Sequence, residues 1–125
     1  MALSSEERVR AAKTESLFRD VNEQVKEIAN ETSGDAEHVG EFVCECRDES
    51  CLERLTLTLR EYNKLRSVPT HFAIVKGHAL PEEGVVWEEN ERFTVVEKIG
   101  TAGAVAVRLD PRSRRQRWAR PSLSP

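Results

Sequence analysis

Cys44, Cys46 and Cys51 stand within eight residues of one another and form a C-x-C-x4-C pattern. Thiolates are soft ligands, and three in so short a span suit a metal such as zinc. On an extended strand, residues two apart leave the same face, so Cys44 and Cys46 would point together. Their Cα atoms would lie about 6.7 Å apart, near the upper limit for a disulfide. Sharing one metal is the easier geometry. Arg47 to Ser50 gives a turn long enough to return Cys51 to the same place.

A structural zinc site takes four tetrahedral ligands, commonly three cysteines and a histidine. Three histidines are available: His38, His71 and His78. His38 lies in a polar connector beside the first cysteine strand, and His71 begins an apolar run. His78 follows Gly77, where the backbone can turn a side chain toward a metal, so local geometry slightly favours it. Glu45, Asp48 and Glu49 read as solvated acids, although a carboxylate could take the histidine's place. Redox-active thiols are the competing reading of the cluster.

The elements that must position these residues can be read in order. Ser4 or Ser5 caps a helix over residues 5–30, with Glu6 and Glu7 in the first turn. Phe18, Val21, Val25 and Ile28, with Leu17 beside them, form one apolar stripe expected to cover a sheet. Thr32 to Gly40 is a connector. Residues 41–46 read as a strand and Leu55 to Thr58 as a second. Thr58 caps a short helix from Leu59 to Ser67, stopped by Pro69. His71 to Val75 is a third strand. Val85 to Trp87 and Phe93 to Val96 make a hairpin, and Ala104 to Leu109 is read as a further strand.

The expected fold class is α+β: an N-terminal helix plus a small, mostly antiparallel sheet with a structural zinc site. The boundaries are residues 1–35 for the helix, 36–110 for the zinc-stabilised domain and 111–125 for a disordered Arg-rich tail. With 125 residues and 38% hydrophobic content the core is small, so a metal would help to constrain it.

Charge is uneven. Residues 108–125 hold six arginines and one acid, net +5, and the remaining residues sum to −8. Arg112, Arg114, Arg115 and Arg117 could meet phosphates and Trp118 could stack on a base. The acidic body opposes this, and nucleic-acid binding ranks third. No membrane-spanning or signal segment stands out, so a reducing, cytoplasmic location is expected, which disfavours a disulfide framework.

The cysteine core resembles a family of small, largely uncharacterised bacterial proteins, mostly from high-GC Gram-positive species. That family reads F-x-C-E-C-x4-C-x3-L-x-L-T-x2-E-Y-x2-L/V-R, then F-A-V-x-P-G-H, then V-V-E…Y-x-V-V-E-K. The matching stretches are Phe42 to Cys51, Leu55 to Arg66, Phe72 to His78 and Val85 to Lys98, and Ser16 to Glu23 is similar to its N-terminal helix. The likeness spans about residues 8–100. It implies His78 as fourth ligand, with Lys76 where the family has proline and Trp87 where it has Glu. Related cores occur joined to bacterial signalling domains, which implies regulation.

A shell closed by Cys44, Cys46, Cys51 and His78 has no open position for catalysis. The chain also lacks a phosphate loop, an H-E-x-x-H and a Ser/His/Asp set, so no enzyme is expected. The leading expectation is a zinc-binding regulatory or protein-interaction module whose partner is another protein. The alternative is a thiol redox or metal-responsive switch.

Overall fold

A computed structural model describes residues 4–46, 51, 53–78 and 83–112. The elements run α1 (Ser5–Thr32), β1 (Val39–Val43), β2 (Arg54–Thr58), α2 (Leu59–Arg66), β3 (His71–Ile74), β4 (Gly84–Glu89), β5 (Thr94–Lys98) and α3 (Gly100–Arg108). The class is α+β, as expected. The strands form two antiparallel sheets, β1-β2 and β3-β5-β4.

Both helix starts carry the residues that stop backbone amides from being orphaned. Ser4 and Glu7 form a capping box on α1, and Thr58 and Glu61 form one on α2. In β2 the alternation works as a strand should: Leu55 and Leu57 face inward while Arg54 and Thr56 face out. Their core also holds Phe42, stacked on Tyr62 at 4.6 Å, with Leu59, Leu65, Phe93 and Val95.

Two expectations about the elements are corrected. Ala104 to Leu109 is not a strand but most of α3. Small residues on that helix let it lie close to its neighbours: Ala102 and Val105 pack on Ala12, and a Cβ on Gly103 would come within 2.9 Å of the Lys98 carbonyl. The Glu83 carboxylate accepts from the Thr101 and Ala102 amides and supplies the cap that Ile99 lacks.

The second correction concerns α1. Leu17, Val21 and Ile28 point outward, Val25 packs against the main core, and the fully buried residues of the helix are Ala12, Glu15, Ser16, Arg19, Asn22 and Glu23. Glu15, Arg19, Asn22 and Glu23 on that face each meet a partner from a distant part of the chain, while the Ser16 hydroxyl and Arg19 Nε have none among the described residues. Glu15 pairs with Lys98, and Arg19 donates to the carbonyls of Pro69 and Ala106, both at 2.8 Å. Its guanidinium also lies 4.8 Å from the Phe72 ring centroid. Asn22 brackets Val43, donating to its carbonyl and accepting from its amide at 2.8 Å each. The helix is held by matched polar contacts, in which every partner counts.

The chain after α3 stays on the body at least through Arg112. Arg112 reaches Glu23 at 3.0 Å and Asn63 at 2.9 Å and lies over Tyr62. Arg66 pairs with Asp110 from the same buried network. Burial alone would raise the Glu23 carboxyl, but Arg112 and Arg66 outweigh it and hold the group below its ordinary value. A depressed carboxyl contributes stability above its unfolded value, and that stability is lost as pH falls through the folded one. Arg112→Ala should cost about 1–3 kcal/mol in urea unfolding at neutral pH. It should also move the acid-unfolding limb to higher pH. Urea unfolding and the acid limb both unchanged would mean that Arg112 adds nothing to the body.

Candidate metal centre

The strand β1 does not end cleanly at Val43. Cys44 N–H still bonds to the Glu53 carbonyl at 3.3 Å, on the β2 side. One residue later, Glu45 N–H bonds to the Ala73 carbonyl at 2.9 Å, on the β3 side. The Cys44-Glu45-Cys46 segment therefore crosses from one sheet to the other. Extended backbone alternates its side chains, so Cys44 and Cys46 turn one way and Glu45 turns the other.

Glu45 is fully buried against α1, which corrects its reading as a solvated acid and candidate ligand. Asn22 Nδ2 donates to its Oε2 at 2.8 Å and the Ala73 amide to its Oε1 at 3.0 Å. Burial raises this carboxyl, against the pull of those two donors and of Arg66 and Arg19. Asp48 and Glu49 lie outside the described residues.

On the opposite side, ligand atoms of Cys44, Cys46, Cys51 and His78 all lie within 4.8 Å of one another, close enough to bind a single metal ion. Cys46 and Cys51 are half-buried and rest with Cys44 on Ile74, Val96 and Val75. His78 comes from a turn after β3 closed by its own amide bonding to the Val75 carbonyl at 3.1 Å. Gly77 occupies that turn at φ +92, a conformation suited to glycine. The Lys76-Gly77 turn thus delivers His78 to the cluster without a proline.

Burial pushes the Cys44 thiol well up. The Val75 amide, 3.2 Å from its sulfur, pulls the other way, and Cys46 and Cys51 add to the rise. A bound cation is what would hold such a crowded set of sulfurs as thiolates.

Neither other histidine belongs to this group. His38 sits in the connector, its carbonyl accepting from the Leu59 amide. His71 is buried at the edge of a groove of about 350 Å³ between α2 and the second sheet, against Trp87. Burial lowers its pKa despite Glu97 nearby. Of the arginines proposed for phosphate contact, Arg112 is occupied by Glu23 and Asn63. Arg114, Arg115, Arg117 and Trp118 lie outside the described residues.

Sequence reasoning passed over Glu53, whose carboxylate lies 2.7 Å from His78 Nε2. Its place two residues after Cys51 was the available signal. No helix among the described residues is long and apolar enough to cross a membrane. Comparison with protein-family models, curated proteins and solved structures gives no match.

Proposed function

We propose that the chain is a small, non-catalytic regulatory or protein-interaction module whose two sheets are pinned together by one zinc ion. The observation that carries this reading is the convergence of three sulfurs and one imidazole from three separate segments. A tetrahedral zinc with bonds of about 2.3 Å to sulfur and about 2.05 Å to nitrogen sets those ligands about 3.5 Å apart. Cys44 Sγ and His78 Nδ1 are separated by 3.5 Å. Four such ligands fill the shell, leaving no position for a substrate or an activated water.

A binding role is supported by what the fold leaves uncovered. Along β4, the consecutive side chains of Val85, Val86 and Trp87 are all exposed. Trp87 is the extra residue of a bulge, since the β4–β5 register passes from Val86↔Val96 to Glu88↔Val95. Protein partners are often met by such an aromatic residue on an otherwise charged surface.

Protein purified without added metal should contain close to one zinc per chain by elemental analysis. A metal-free protein with three freely titrating thiols would remove the proposal. His78→Ala should weaken zinc retention far more than His38→Ala or His71→Ala, and equal retention in all three would take histidine out of the site. Mild peroxide separates the switch alternative, because a structural site keeps its zinc where a switch releases it.

A further inference from the structure

Glu53 meets the candidate centre twice. Its backbone carbonyl accepts from the Cys44 amide at 3.3 Å, and its Oε2 lies 2.7 Å from His78 Nε2. The other ring nitrogen of His78, Nδ1, is the one 3.5 Å from Cys44 Sγ. A neutral imidazole has one N–H and one lone pair, whereas a carboxylate can only accept. The partners therefore fix the tautomer: Nε2 carries the hydrogen toward Glu53, and the Nδ1 lone pair faces the sulfurs.

We propose that Glu53 is the positioning residue that commits His78 to metal coordination through Nδ1. The proposal rests on the metal-centre reading of the four-residue cluster. Geometry gives it a specific reason. His78 follows Gly77, which takes φ +92 in the turn, and its side chain is 28% exposed with Glu53 on its outer ring nitrogen. An acceptor at Nε2 fixes which ring nitrogen is left to face the sulfurs. Carboxylates that hold a ligating histidine in this way both fix its orientation and raise its basicity. The Glu53 side chain is 59% exposed, and water competes for the hydrogen bond, so its effect belongs at the lower end of the usual range.

The test uses the full chain loaded with zinc, with affinity measured by competition against a chromophoric chelator. Glu53→Ala should lower zinc affinity about ten-fold. Glu53→Gln, whose amide oxygen still accepts from Nε2–H, should keep most of it. With His78→Ala already present, Glu53→Ala should change nothing further, because no imidazole remains to orient. Long-range proton–nitrogen NMR of the loaded protein should show His78 metallated at Nδ1 and protonated at Nε2. Wild-type zinc affinity retained in Glu53→Ala, an equal loss in the His78→Ala background, or a ring metallated at Nε2 would each overturn the proposal. Wild-type protein that takes up no zinc would instead bring down the metal centre itself, and Glu53's role with it.

Discussion

Removing zinc from zinc-loaded protein with a chelator is expected to lower its melting temperature by about 12–20 °C. The candidate ligands come from the end of β1, from the approach to β2 and from the turn after β3, so one ion bound there would tie both sheets. Between Glu45 and Ala73 the sheets share one backbone hydrogen bond and one from the Glu45 side chain. Zinc free at about a thousand times its Kd adds about 4 kcal/mol. At about 3–5 °C per kcal/mol for a chain of this size, that is a shift of about 12–20 °C. Calorimetry with and without chelator, followed by return of stoichiometric zinc, measures it. A melting temperature unmoved by chelation would show that the cluster plays no part in holding the fold.

Substituting Arg19 should be far more damaging to α1 than truncating its exposed apolar residues Leu17 and Ile28. Arg19 is fully buried, and burial, with Arg66 nearby, lowers its pKa against the pull of Asp110, Glu45 and Asp20. Arg19→Met keeps most of the volume but strands the Pro69 and Ala106 carbonyls. Each stranded carbonyl costs about 1–3 kcal/mol, so the loss is about 2–6 kcal/mol. Leu17→Ala and Ile28→Ala, at positions 59% and 65% exposed, should stay within about 0.5 kcal/mol of the parent. Urea unfolding of the three variants decides it. The reverse order would mean that α1 docks through its apolar side.

That contrast marks where the sequence could be read and where it could not. The cysteine spacing, the Thr58 cap and the hairpin are local signals, set by residues a few positions apart, and each appears in the fold. The docking face of α1 is not local. Glu15, Arg19 and Asn22 look like solvated helix residues until Lys98, Ala106 and Val43 arrive from distant parts of the chain. Hydrophobic periodicity marks Val25, which packs on the core, together with Leu17, Val21 and Ile28, which face out. The misreading of α3 has a different cause: Val105 and Val107 among glycines and alanines suit a strand by propensity. What makes that segment helical is tight packing, at Gly103 against the Lys98 carbonyl and at Ala102 against Ala12. The alternation that turns Cys44 and Cys46 one way turns Glu45 the other, and what buries it there is the distant pair Asn22 and Ala73.

The polar docking face of α1 also bears on how the chain is made. Its partners at Lys98 and Ala106 lie 83 and 87 residues downstream of Glu15 and Arg19. At roughly 5–20 residues per second, the ribosome leaves that helix without them for roughly 4–17 s. A helix whose docking face was apolar would add that surface to the Leu17, Val21 and Ile28 side chains it already exposes. One whose waiting face is Glu, Arg, Ser and Asn is at ease in water until the last strand and helix emerge, and it then recognises them by charge and hydrogen-bond pattern.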